Sequence, residues 1–245
     1  MTENPYQPPQ LPTTPPLLPP VEKSPWNAWW TLLWAVVLLA IWQTVMTIGL
    51  FIAALHSEIG IDGDVIGLTA FATLFFVCPA CWLIGQVRPG YSGFGYLGND
   101  RTKWWHWPAW GAATIGCSVI FTLIAPSLGI DGPDDSVIQM ARTTNVPLFL
   151  YLGVGIGAPL VEEFIFRGAL WRGWRLSRLG LWGTLLITSF LWAILHVQYP
   201  AAIIAYIFCL GLLLGFAREK SGNLWIPVWM HALNNGLATI EMLRL

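Results

Sequence analysis

The sequence predicts an all-α protein, a polytopic bundle of about seven transmembrane helices, and three observations carry that reading. Charged residues make up only 10% of the 245-residue chain and hydrophobic ones 56%, against about 25% charged in a soluble domain. Apolar runs near the ~20 residues that a bilayer requires recur along the chain. The 16 tryptophans gather largely at the ends of those runs, where indole rings favour the headgroup level. A chain so poor in charge cannot clothe its surface in water, and the surface faces lipid. A net charge of −1 offers no basic footprint for nucleic acid. Four cysteines make no disulfide framework.

The chain reads in three parts: a tail over 1–26, N-terminal spans and loops over 27–146, and a core carrying the chemistry over 147–245. The first 25 residues hold nine of the eighteen prolines. With no apolar run to bury, they form a polyproline-like, disordered cytoplasmic tail. No basic start followed by an apolar core is present, so the tail is not a signal peptide and the first span stays as an anchor. The spans run over 27–55, 65–86, 107–128, 147–174, 180–197, 201–217 and 224–243. The last three are short or closely spaced, so six or eight spans also fit. Gly153 and Gly157 on the fourth span, and Gly211 and Gly215 on the sixth, have the spacing that lets helix backbones approach.

Lys and Arg set the orientation. With seven alternating spans, Lys23, Arg88, Arg101, Lys103, Arg167, Arg172, Arg175, Arg178, Arg218 and Lys220 share one side. Only Arg142 and Arg244 fall on the other, among acidic groups such as Asp62, Asp64 and Glu241. The positive-inside rule places the N-terminus in the cytoplasm and the C-terminus outside. The compact length and lean loops fit a bacterial inner membrane.

Polar groups inside apolar spans need a reason, because each charge near a helix centre costs about 2.5–3.5 kcal/mol on insertion scales. The fourth span holds Glu162, Glu163 and Arg167; the fifth ends at Trp192 and His196; the seventh holds His231, Asn234 and Asn235. Glu163 and Arg167, four apart, pair on one helix face, while Glu162 points about 140° from Arg167 and is left for other work. His231 and Asn235 also share a face. Measured from the cytoplasmic ends at ~1.5 Å per residue, Glu162 lies about 20 Å deep, His196 about 24 Å and His231 about 14 Å. Three helices thus put their polar residues in one slab, which predicts a shared site.

A carboxylate facing a neutral imidazole can hold a water and take its proton. His231 and Asn235 can donate to an oxyanion developing on a carbonyl. Together these parts make a water-activating amide hydrolase. Glu162, His196 and His231 could equally hold Zn²⁺, which would generate the hydroxide itself. A proton relay through Glu162 and His196 in a transporter is a weaker reading.

Glu162-Glu163-x-x-x-Arg167, then Trp192-x-x-x-His196, then His231-x-x-x-Asn235 resemble the three ordered motifs of the CPBP intramembrane proteases. That family includes CAAX prenyl endopeptidases and the bacteriocin-processing or immunity (Abi) proteins. The resemblance spans roughly 148–243. It implies that Glu162 and His196 activate the water, that His231 and Asn235 form the oxyanion site, and that Glu163 and Arg167 support them. It implies a membrane-embedded peptide or protein as substrate, and a glutamate mechanism without metal is favoured over zinc. The family has Phe where this chain has Trp192; an indole keeps the aromatic wall and fills more of the pocket, which changes substrate shape before activity. The rival is a non-catalytic membrane scaffold or immunity protein binding a membrane partner. Cys78-Pro79-Ala80-Cys81 has redox spacing but no neighbouring His or acid, and reads as buried helix cysteines. His56 and His106 fall in connections and are assigned no chemistry.

Overall fold

The computed structural model describes residues 25–55, 61–130 and 135–244; the Pro-rich tail and His56 lie outside them. Nine helices run through the described residues, with no strand among them. They are α1 (Ala28–Leu55), α2 (Gly63–Gln86), α3 (Gly93–Leu97), α4 (His106–Ile124, continued by a 3₁₀ turn over Ala125–Leu128) and α5 (Asp135–Arg142). Then follow α6 (Pro147–Arg175), α7 (Gly180–Ile194), α8 (Ala201–Ser221) and α9 (Trp225–Met242). Five of these, α1, α2, α4 with its 3₁₀ turn, α6 and α8, are long and apolar enough to cross a membrane. α7 is apolar but only 15 residues, about 22 Å at the helical rise. α9 has 18 residues and carries the polar cluster. All seven predicted spans coincide with helices, and this is a multi-pass membrane protein.

Local chemistry fixes the ends. Asp62 caps α2 by accepting from Val65 N at 2.9 Å, satisfying a donor that the first turn leaves open. Ser92 caps α3 in the same way, with Gly95 N at 3.1 Å. α3 and α8 end on Gly98 and Gly222 at φ +94° and +67°, a conformation that suits glycine. α7 stops earlier than predicted, at Ile194, and a turn leads from it to Pro200 at the start of α8. His196 therefore lies in a turn beyond the helix and not on it. The sixth span runs on to Ser221, and the short helices α3 and α5 were not expected.

α6 is the central helix: 56% of its most apolar window is buried, against 11% for α1 and 33% for α8. It packs on α2 and α9 along its first half and on α1, α3 and α7 along its second. It is also irregular, with π-helical stretches at Tyr151–Gly157 and Phe164–Ala169 on either side of Ala158–Glu163. Such bulges cluster at functional sites, and these two bracket the glutamates.

The glycines pack inside the bundle as their spacing implies. A Cβ on Gly153 would sit 2.1 Å from the carbonyl oxygen of Gly67, and one on Gly67 2.5 Å from that of Phe149. Gly211 and Gly215 meet Ser189 and Trp192, and Leu185 and Trp171. Because the atom facing Gly153 is backbone, Gly153→Ala is expected to cost about 1–3 kcal/mol through overpacking. Gly116, with nothing within 4 Å of its Cβ position, is the control: Gly116→Ala should be neutral or stabilising. Thermal unfolding of both variants in detergent checks the contrast.

Cys78 and Cys81 are free thiols within the continuous α2, in keeping with their structural reading. His106 is buried at the start of α4, its ring 4.1 Å from that of Trp105. Two of the ten Lys/Arg counted for orientation are interior residues: Arg167 is 0% and Arg218 4% exposed. Seven others of that side lie among the described residues against two on the other, and the bias keeps its sign.

Candidate active site

The site forms where α6, α7 and α9 meet, and it begins with an ion pair. Arg167 Nη1 donates to Glu163 Oε1 at 2.9 Å, both side chains fully buried. Arg167 Nη2 donates to the carbonyl of Gly211 at 2.8 Å; the glycine keeps that approach free of a side chain. The guanidinium also lies over the Trp192 ring, 5.0 Å from its centroid. Two atoms of the pair, Glu163 Oε2 and Arg167 Nε, are buried without a protein partner, which leaves polar positions for internal water.

His231 reaches the same carboxylate from α9. Its Nδ1 lies 2.9 Å from Glu163 Oε1, and a proton on Nδ1 satisfies both atoms. In the neutral ring Nε2 then keeps its lone pair. Nε2 is 3.9 Å from Glu162 Oε2, too far for a direct hydrogen bond. That separation is one that a water set to one side could span with two ordinary hydrogen bonds. Glu162, 5% exposed, has its other contact in Trp192, whose Nε1–H donates to the same Oε2. Phenylalanine could make no such bond, so the indole both walls the site and fixes the carboxylate.

His196 stands on the far side of Trp192. Its Nδ1–H donates to the Trp192 carbonyl at 2.9 Å, its ring meets the indole edge-on at 5.6 Å, and Nε2 is left as an acceptor. No hydrogen bond joins His196 to Glu162, and His231 occupies that place. Asn235 turns to α6, donating from Nδ2 to the Val154 carbonyl at 3.2 Å, within the first π-helical stretch. It does not bond His231.

One polar group was missed as part of the site. Asn234 Oδ1 accepts from Tyr206 OH at 2.8 Å and from Ser118 Oγ at 2.9 Å. Its Nδ2 donates in turn to Asn235 Oδ1 at 3.2 Å. The Val154 carbonyl, which can only accept, fixes which end of Asn235 is the nitrogen, Asn235 Oδ1 then fixes Asn234, and the second Nδ2 proton of Asn235 stays free to donate. The adjacent asparagines were visible in the sequence, but partners on two other helices were not. Arg218, read only as a topological charge, donates to the carbonyls of Arg167 and Leu97, each at 3.0 Å, tying α8 to α6 below the site.

A cavity of about 260 Å³ lies against these groups. Trp192, His196, His231, Asn234 and Asn235 contribute its polar wall, while Glu162 lies outside the lining, held by Trp192. Among the described residues no three His, Cys, Asp or Glu side chains are grouped to hold a metal ion. Glu162, His196 and His231 are arranged around Trp192 and do not converge on one point.

Fold and site define a class: a helical membrane bundle holding a buried carboxylate–imidazole cluster at the end of a small cavity. Residues 144–237 match the family described as type II CAAX prenyl endopeptidase Rce1-like, over the stretch that carries the three motifs. The chain is also 41% identical over 83 residues to an Escherichia coli protein described as "Uncharacterized 24.3 kDa protein". That stretch is 33% of this chain and 38% of the relative, so the chain spans under two-fifths of the curated protein it matches. No solved structure matches the chain.

Proposed function

We propose that the chain is an intramembrane endopeptidase that hydrolyses a peptide bond of a membrane-associated peptide or protein with a water activated by Glu162. The observation that carries this reading is the placement of Glu162 Oε2 and His231 Nε2 3.9 Å apart beside the cavity. That spacing suits one shared water. Glu162 takes a proton from the water as its oxygen bonds to the substrate carbonyl carbon. The carbonyl oxygen becomes an oxyanion and receives the free N–H of Asn235. The proton then passes to the leaving nitrogen, the C–N bond breaks, and a carboxyl and an amino terminus result.

Glu163 and Arg167 are positioning groups in this scheme: Glu163 fixes His231, and Arg167 neutralises Glu163. His231 thus works beside Glu162 on the water, a role that the motif resemblance gives to His196. His196 supplies a second acceptor on the cavity wall.

The donor arrangement favours a mechanism without metal, and chelation tests it. The purified protein in detergent is incubated with a library of internally quenched apolar peptides. Cleavage is expected to persist in excess EDTA or 1,10-phenanthroline and to vanish in His231→Ala. Loss on chelation with recovery on adding Zn²⁺ would replace the glutamate reading with a zinc one.

A further inference from the structure

The cavity points to one end of the bundle. Its inner end is Trp192, His231 and Leu210. From His231 its wall follows α9 to Met242, eleven residues or about 16 Å along the axis. From Leu210 it follows α8 back to Ile203, close to that helix's start. Val154 of α6, Val137 and Met140 of α5, and His196 and Tyr199 of the α7–α8 turn complete it. No lining residue comes from the connections at the opposite end, between α2 and α4, α6 and α7, or α8 and α9. The cavity therefore opens where α5, the α7–α8 turn and the end of α9 gather.

That end is the one poor in cations. Among the described residues it carries Arg142 and Arg244, whereas seven Lys and Arg outside the protein interior belong to the other end. By the positive-inside rule the cavity opens away from the cytoplasm. Its lining adds a chemical limit, because among the described residues it contains no Lys, Arg, Asp or Glu. A chain terminus bearing a carboxylate would be buried there without a cation, which penalises it. An uncharged internal stretch meets apolar walls such as Val137, Met140, Ile207 and Met242, with amide and imidazole groups at the deep end.

We infer that the site takes a short, uncharged, apolar internal stretch of a polypeptide presented from the non-cytoplasmic face of the membrane. The substrate class rests on the endopeptidase reading; the side of access does not.

Cysteine labelling tests the side. Ala238→Cys and Ile203→Cys, on the cavity wall, and Arg178→Cys, at the opposite end, are made with the four native cysteines replaced by alanine. Each is expressed in a bacterium and exposed to a membrane-impermeant maleimide in sealed right-side-out and inside-out vesicles. The two cavity cysteines are expected to label in right-side-out vesicles and Arg178→Cys only in inside-out ones. Labelling of the cavity cysteines only from inside-out vesicles overturns the inference, and so does failure to label them from either side while Arg178→Cys reacts. If the cysteine-free protein does not assemble, the native cysteines are kept and labelling is compared with and without each added cysteine. Labelling needs no cleavage, so it stands apart from the endopeptidase reading. Where cleavage is found, sites on cytoplasmic segments would overturn the substrate class.

Discussion

Glu162→Gln is expected to cut peptide cleavage by about 10²–10⁴-fold, the usual contribution of a positioned general base, while the protein still assembles. The substitution keeps the shape of the side chain and leaves an oxygen to accept from Trp192 Nε1, the contact that now fixes Glu162 Oε2. What it removes is the capacity to take a proton from water. Glu163, one residue away, offers no substitute: its Oε1 is shared by Arg167 and His231 at 2.9 Å each. Cleavage assayed on the purified variant, beside its thermal unfolding, separates lost chemistry from lost structure. A scaffold protein would be indifferent to the change in its biological readout.

The second large effect falls on stability. Arg167→Met is expected to destabilise the protein by about 3–5 kcal/mol, the cost of removing one partner from a buried ion pair. Glu163 would remain a fully buried carboxylate with only His231 to meet it, and the Gly211 carbonyl would lose its donor. Removing both charges together in Glu163→Gln/Arg167→Met should cost less than Arg167→Met alone, because no unpaired charge is left. Thermal unfolding in detergent reads both beside Glu163→Gln alone, and additive costs of the two single changes would show that the pair is not coupled.

Much of the fold was legible because a bilayer imposes length and composition on a helix. All seven predicted spans fall on helices, most with ends within a few residues. α3 and α5 were not legible: five and eight residues leave no run of that kind. The Glu163–Arg167 pair followed from i,i+4 spacing alone, and the glycine pairs from small-residue spacing. The partition of the histidines did not. Depth placed His196 and His231 in one slab with Glu162, but only the rotation and packing of three helices decide which ring faces the carboxylate. The π-helical stretches of α6 depart from 100° per residue, and no sequence signal marked them. The bond from Trp192 to Glu162 was hidden for a simpler reason: the indole was weighed as volume, although it also carries a donor.

The measurement closest to the central proposal compares N-terminal peptides of membrane and secreted proteins from cells carrying the native protein or Glu162→Ala at equal abundance. If the protein is an endopeptidase working through Glu162, a set of new termini present with the native protein disappears with the alanine, and the lost sites identify the substrate. Matching profiles, with Glu162→Ala still rescuing a deletion phenotype, would contradict hydrolysis and leave a membrane scaffold in its place.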